Sequence, residues 1–320
     1  MALVSLVLEV VYRYIIIFSF IGIGAMLVRI IPRYSKQINK ILVNSLIYIF
    51  VPLLILDAIS SNFHTIAIYA LRLVLIATIL VICCLSTGIL ISREILKSSN
   101  KVLGSIALTS AFQNAVFLPF PLILMITESS IGIGYASIFA AVQFILYSVL
   151  GVPICVLYGE RDGSLSQIIS EILLFPPSIA TLLSIFLGYS NFSFRELLTT
   201  YNPRIYIYLI KMCSEITLFF SLIVVGVSVG SRRITVTNET LVVSFIRFLL
   251  SPLLAGLLIL FMRLGGLVVI VILIESIMPP AVLNVVLAEK FGLDSSLTSE
   301  IIITTTLISV LLVIPVIVIL

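Results

Sequence analysis

Residues 111–121 read Ala-Phe-Gln-Asn-Ala-Val-Phe-Leu-Pro-Phe-Pro, and residues 275–284 read Glu-Ser-Ile-Met-Pro-Pro-Ala-Val-Leu-Asn. Each stretch interrupts a long hydrophobic run, and the two lie at matching places in the two halves of the chain. Proline breaks a helix, and in lipid every backbone group left without a partner costs several kcal/mol. Such a break survives only where it lines a protein-enclosed or watery cavity. A matched pair of breaks is typical of a transporter binding site, so the sequence predicts a secondary transporter.

The composition requires the bilayer as the solvent. Of the 320 residues, 61% are hydrophobic and 10% are charged, and the mean hydropathy is +1.33. No soluble domain of this size needs so much apolar surface. The net charge of +4 does not indicate nucleic-acid binding, because the basic residues lie mostly in loops, where they orient a membrane protein. The four cysteines lie in hydrophobic runs without metal-ligand spacing, which indicates buried free thiols and predicts neither metal nor cofactor.

The hydrophobic runs predict an all-α polytopic membrane protein with ten transmembrane helices. Spanning needs about 20 apolar residues. The runs that qualify are roughly 10–31, 39–60, 65–91, 102–127, 131–158, 168–188, 204–229, 240–262, 265–289 and 297–320. The polar junction 159–167 divides them into five and five, giving a first repeat at 1–158 and a second at 168–320. Because five is odd, the second repeat enters the membrane inverted relative to the first.

The distribution of lysine and arginine predicts the orientation. One side of the membrane holds eleven of these residues: Arg29, Arg33, Lys36, Lys40, Arg93, Lys97, Lys101, Arg161, Arg232, Arg233 and Lys290. The other side holds four: Arg13, Arg195, Arg204 and Arg263. By the positive-inside rule the linker 159–167 is cytoplasmic and both termini are extracytoplasmic, in a multi-pass protein of the cell membrane.

The first break carries polar side chains at mid-membrane depth. Gln113 and Asn114 offer donors and acceptors, and Pro119 and Pro121 should unwind the helix around 114–119. The half-helix that restarts there presents backbone N–H groups and a partial positive charge, which favour a carboxylate. The alternative is a simple proline kink with Asn114 bonded to a neighbouring helix.

In the second break the prolines precede the asparagine. Pro279 and Pro280 suit the first positions of a new half-helix, and Asn284 follows one turn later. If the repeats are inverted, helices 4 and 9 cross near the midplane, and their half-helix N-termini face a common cavity.

Charged residues inside the runs are functional hypotheses by default. Glu275 lies just before the second break, where it could carry a coupling proton, cap freed N–H groups or pair with a cation. Lys211 and Glu215 are four residues apart and are expected to pair with each other. Arg72 and Arg247 lie at similar depths in the third and eighth helices. We expect both to snorkel to an interface or to pair structurally, with substrate contact as the alternative.

The second break is part of the stretch that carries the closest family resemblance. Residues 275–289, Glu-Ser-Ile-Met-Pro-Pro-Ala-Val-Leu-Asn-Val-Val-Leu-Ala-Glu, are similar to the ninth-helix segment of the auxin efflux carrier family, the PIN-like transporters, and Phe291-Gly-Leu-Asp294 continues the match. Residues 113–119 are similar to the family's Gly-Asn-x-x-x-x-Pro stretch, with Gln113 in place of the usual glycine. Residues 39–53 resemble its second helix, and Phe175-Pro-Pro-Ser-Ile-Ala180 resembles its Asn-Pro-Pro opening of the sixth.

The resemblance implies two inverted five-helix repeats with crossed fourth and ninth helices. It also implies an elevator-like alternation, in which helices 3–5 and 8–10 move against a scaffold of helices 1, 2, 6 and 7. Substrates in the family are organic anions, namely auxin in plants and small dicarboxylates in some bacterial members. Together, the breaks and the resemblance give the candidate substrate-binding residues Gln113, Asn114, Pro119, Pro279, Pro280 and Asn284, with Glu275 as a candidate coupling residue.

The sequence therefore predicts a transporter of a small organic anion rather than an enzyme. The alternative within transport is a sodium-coupled organic-anion symporter or a sodium/proton antiporter on a related inverted-repeat scaffold. Paired acidic residues at the crossing would favour that alternative, and only Glu275 is close. An intramembrane enzyme would need paired aspartates, a His/Glu metal cluster or a serine with a base, and the sequence contains no such set. The expected partners are the carboxylate substrate and the lipid bilayer, without nucleic acid, and a homodimer stays open.

Overall fold

The computed structural model describes residues 2–160, 174–230 and 236–313. The described residues form thirteen helices and no strand. The helices are α1 (Ala2–Ile30), α2 (Pro32–Ser61), α3 (Phe63–Ile95), α4 (Asn100–Ala111), α5 (Pro119–Thr127), α6 (Ser130–Tyr158), α7 (Pro176–Tyr189), α8 (Phe194–Tyr201), α9 (Pro203–Gly230), α10 (Asn238–Phe261), α11 (Leu267–Ser276), α12 (Leu283–Phe291) and α13 (295–313). The predicted linker 159–167, the start of the run 168–188, and Arg161, Arg232 and Arg233 fall wholly or partly outside the described residues.

Six of the described helices, α2, α3, α6, α9, α10 and α13, are long and apolar enough to cross a membrane. Two predicted runs are each divided into two shorter helices: the run 102–127 is α4 followed by α5, and the run 265–289 is α11 followed by α12. Helix α8 lies outside the predicted hydrophobic runs. Its signal is present in the sequence, because Ser193 begins a Ser-x-x-Glu capping pattern and its hydroxyl accepts from the backbone N–H of Glu196 at 3.3 Å.

Three long helices carry a proline without breaking. Each of Pro52, Pro153 and Pro252 is preceded by one wide π-helical turn. In each turn, the backbone N–H of the residue before the proline donates to the carbonyl five residues earlier. The wider turn makes room for the proline ring and leaves fewer carbonyls without donors. The turns are Leu46–Phe50, Tyr147–Gly151 and Ile246–Leu250.

Small residues allow α1 to pack closely against α9. A Cβ atom at Gly24 would lie 2.1 Å from the carbonyl oxygen of Ile223, and one at Gly226 would lie 2.1 Å from that of Ile21. Only glycine fits at these two positions, which is the usual way for membrane helices to bring their backbones together.

The largest apolar core lies between α2, α3, α5, α6, α9 and α11. A second cluster surrounds the two helix breaks and contains Phe112, Tyr147, Leu287 and Phe291. Within it the rings of Phe112 and Tyr147 stack with centroids 3.9 Å apart. The breaks are therefore held in a packed apolar shell, which fixes where their freed backbone groups point.

Candidate functional site

The two helix breaks meet and are joined through their backbones. We call the segments 112–118 and 277–282 together the crossing. The N–H of Asn114 donates to the carbonyl of Pro279 at 2.8 Å, and the N–H of Ala281 donates to the carbonyl of Phe112 at 3.0 Å. Gln113 and Pro280 face each other in an isolated antiparallel bridge. The prediction that the two breaks meet is confirmed.

The side chain of Arg247 bonds two carbonyl groups at the second break. Pro279 and Pro280 have no N–H, so the carbonyls four residues earlier, at Glu275 and Ser276, lose their helical donors. Nη2 of Arg247 donates to the carbonyl of Ser276 at 3.2 Å, and Nε donates to that of Met278 at 3.0 Å. Arg247 is 0% exposed, so snorkelling was wrong for this residue and structural pairing was right. Arg72, at the similar depth in α3, is exposed beside the ring of Tyr69.

The side chains of Asn114 and Gln143 form hydrogen bonds with backbone groups that the first break exposes. Oδ1 of Asn114 accepts from the backbone N–H of Phe117 at 3.0 Å and from that of Val116 at 3.4 Å, so Asn114 caps the turn that leads into α5. Nε2 of Gln143, from α6, donates to the carbonyl of Gln113. Both of the hydrogen bonds to Asn114 are accepted by Oδ1, so Nδ2 is the atom that the Asn114 side chain can offer to a ligand.

Asn284, in the first turn of α12, uses one end of its amide to bond the first break and the other to bond α6. Its Nδ2 donates to the carbonyl of Phe112 at 3.0 Å, and its Oδ1 accepts from the hydroxyl of Tyr147 at 2.7 Å. Both Asn284 and Tyr147 are 0% exposed. Asn284 thus bonds a peptide group that the first break leaves free.

A cavity of about 330 Å³ opens beside the crossing. Its polar lining consists of Gln113, Asn114, Gln143, Tyr147 and Lys290, and Lys290 is exposed. Its apolar lining comes from α2, the crossing, α6, Phe175 and α12: Val43, Ile47, Ala115, Val116, Phe117, Phe144, Phe175, Ala281, Val282, Leu283, Val286 and Leu287.

Only part of the predicted site lines this cavity. Gln113 and Asn114 do, whereas Pro119, Pro279, Pro280 and Asn284 are not among its lining residues. Lys290 and Tyr147 belong to the cavity but were not predicted as site residues. The i, i+3 spacing of Leu287 and Lys290 on α12 puts both on the face that Leu283 presents to the cavity, a signal that could have pointed to Lys290.

Glu275 lies behind the crossing rather than in the cavity. It is 0% exposed, and both of its carboxylate oxygens lack a hydrogen-bond partner among the described residues. Arg247 acts on it through its charge, and the side-chain amide of Gln113 lies close enough to act on it as a hydrogen-bonding group. The coupling role of Glu275 stays a prediction.

The pair that the sequence proposed on α9 is confirmed, because Nζ of Lys211 lies 3.9 Å from Oε1 of Glu215.

A second cavity, of about 220 Å³, lies near the other end of α2. Asp57 lines this cavity and is only 1% exposed. Its Oδ1 accepts from the hydroxyl of Tyr206 at 2.9 Å, and that hydroxyl accepts from Nε of Arg195 at 2.9 Å. Asp57 is ten residues, or about 15 Å of helix, beyond Ile47 of the first cavity. The two cavities therefore lie at different depths.

Comparison with known proteins identifies the family. The model of a family described as "Membrane transport protein" matches residues 9–163 and 162–318. A protein of Methanocaldococcus jannaschii named as an uncharacterized transporter is 30% identical over 280 residues, which cover 85% of this chain and 87% of that relative. The chain therefore belongs to the membrane transport protein family, that of the auxin efflux carriers, and is a multi-pass membrane transporter.

Proposed function

We propose that this protein is a secondary transporter that moves a small organic anion through the cavity beside the crossing. The observation that carries the proposal is the lining of that cavity: a long apolar wall, a few convergent amide and hydroxyl groups, and one lysine at an exposed position. Ligand sites combine apolar walls with a small number of placed polar groups in this way. Asn114 and Lys290 are the two of these groups that can meet a carboxylate, because the Tyr147 hydroxyl is bonded to Asn284 and the Gln143 amide to Gln113.

The recognition of a carboxylate would rest on Asn114 and Lys290. Nδ2 of Asn114 offers an N–H donor, and Lys290 offers positive charge. The walls favour an apolar body behind the carboxylate, because Phe117, Phe144 and Phe175 contribute aromatic surface. Among the described lining residues Lys290 carries the one formal charge, so a second carboxylate would be desolvated without a cation. A monocarboxylate with an aromatic or aliphatic body therefore fits better than a dicarboxylate.

Several landmarks support two inverted repeats. Arg72 lies nine residues after the start of α3, and Arg247 lies nine residues after the start of α10. The two segments matched by the family model meet at residues 162 and 163, within the proposed linker.

On the elevator scheme of the family, α3–α6 and α10–α13 would move as one unit against α1, α2, α7 and α9. The cavity lies where this unit, through the crossing, faces α2, as that scheme requires.

Transport and binding assays with the purified protein test the function. We expect indole-3-acetate or phenylacetate to raise the thermal midpoint of the protein, and succinate at the same concentration to raise it less. Counterflow of the stabilising acid in proteoliposomes should follow the same order. If none of these acids stabilises the protein or exchanges across the membrane, the organic-anion proposal is wrong.

The variant Lys290→Gln should weaken binding of the anion about two- to five-fold, with a smaller effect at high salt. The reason is that an exposed charge contributes up to about 1 kcal/mol and is screened by ions. Lys101→Gln is the matched control, because Lys101 is paired with Glu160 at 2.6 Å and does not line the cavity. Equal effects of the two substitutions at every salt concentration would argue against a role of Lys290 in binding.

The proposed orientation can be tested with two matched cysteine variants in a background without native cysteines. Ser99 and Ser190 are both exposed serines, and the charge bias puts Ser99 in the cytoplasm and Ser190 outside. An impermeant maleimide should label Ser190→Cys in intact cells and should label Ser99→Cys only after the membrane is opened. Labelling of both in intact cells, or the reverse order, would overturn the topology.

A further inference from the structure

The C-terminal end of α11 has the features of a cation site. Pro279 and Pro280 leave carbonyl oxygens without helical donors, and the end of a helix carries partial negative charge. The side chain of Glu275 adds a carboxyl group, and neither of its oxygens has a hydrogen-bond partner among the described residues. In ion-coupled carriers built from broken helices, unwound carbonyls and half-helix C-termini coordinate the coupling sodium ion.

In this protein a side chain already supplies positive charge at that place. The guanidinium of Arg247 donates to the carbonyls of Ser276 and Met278, at 3.2 and 3.0 Å. The other ionisable side chains that act on Arg247 are those of Cys84, Glu275 and Tyr147. Arg247 is 0% exposed and does not line the substrate cavity. Its position fits neither a substrate contact nor an interfacial anchor.

We propose that Arg247 is a tethered cation, which takes the position that a coupling sodium ion would take at the end of α11. The structure thereby provides for transport that does not depend on a sodium gradient. Loss of the arginine charge should uncover a sodium site made by the carboxylate of Glu275 and the carbonyls of Ser276 and Met278. Oxygen ligands of this kind suit a hard cation such as Na⁺. The consequence for transport rests on the proposed function, whereas the sodium site does not.

The experiment measures thermal unfolding of the purified protein, without any organic anion, in sodium chloride and in choline chloride of equal concentration. Wild type should unfold at the same midpoint in both salts. Arg247→Gln should be less stable than wild type in choline and should gain roughly 2–4 °C in sodium. Binding of radioactive ²²Na⁺ should be detectable in Arg247→Gln and absent in wild type.

Three further variants separate a charge effect from a general loss of packing. Arg247→Lys keeps the charge and should show no sodium shift. Arg72→Gln removes an exposed arginine at the matching position of α3 and should behave as wild type. Arg247→Gln combined with Glu275→Gln removes both charges. It should lose the sodium shift and regain part of the stability, since no buried charge is left unpaired.

A sodium shift or ²²Na⁺ binding in wild type would overturn the proposal, because the site would then not be filled by Arg247. Equal midpoints of Arg247→Gln in sodium and choline would also overturn it, as would failure of that variant to fold in either salt. Folding of Arg247→Gln in sodium but not in choline would support it. Because no organic anion is present, a negative result in the sodium measurements would not contradict the organic-anion proposal. Likewise, a negative result in the organic-anion assays would not contradict the sodium site.

Discussion

Replacement of Asn114 by alanine is expected to weaken binding of the transported anion about ten- to a hundred-fold. A hydrogen bond to a charged group is worth roughly 1.5–3 kcal/mol, and Nδ2 of Asn114 is the amide donor left available at the cavity. The same substitution removes the cap on Val116 and Phe117, at a cost of about 1 kcal/mol in stability. Affinity should therefore fall much more than the thermal midpoint.

The variant Asn114→Asp separates these two contributions. Aspartate keeps an oxygen that can cap Phe117, but it lacks the amide donor and adds a charge that repels an anion. We expect stability close to wild type and a loss of affinity at least as large as with alanine. Equilibrium binding of the stabilising acid and counterflow measure the affinity. Near-normal affinity in both variants would reject the crossing as the binding site.

Replacement of Asn284 by alanine is expected to lower the stability of the protein by roughly 2–4 kcal/mol, or the thermal midpoint by about 5–10 °C. The buried hydroxyl of Tyr147 loses its acceptor, and the carbonyl of Phe112 loses one of two donors. Transport should fall as a consequence, since α12 loses its side-chain bonds to the first break and to α6.

A double substitution provides the control for Asn284. Asn284→Leu with Tyr147→Phe removes both hydrogen-bonding partners, and such a change costs less than leaving one partner unsatisfied. The double variant should be more stable than Asn284→Ala, and Tyr147→Phe alone should be destabilised because Oδ1 of Asn284 is left buried without a donor. A midpoint of Asn284→Ala within a degree of wild type would show that the amide link contributes little.

The sequence by itself determined the helical class, the places where helices break and the family. The reason is that hydrophobic length and proline act locally: about 20 apolar residues span a bilayer, and a missing N–H breaks a helix where it occurs. The breaks fell at 112–118 and 277–282, beside the prolines and asparagines, but the second half-helix begins at Leu283 and not at Pro279 and Pro280 as expected. The motifs around them also predicted the family that the comparisons then showed.

Only the tertiary structure decided which of the predicted residues face a ligand and which hold the fold together. Asn114 and Asn284 look equivalent in sequence, yet Asn114 lines a cavity while both ends of the Asn284 amide are bonded within the core. Arg72 and Arg247 also occupy similar depths, yet one is exposed and the other is fully buried. These differences depend on groups far apart in the chain, such as Phe112 for Asn284. The direction in which a side chain points is set by packing between distant helices, and local propensity and spacing do not determine that packing.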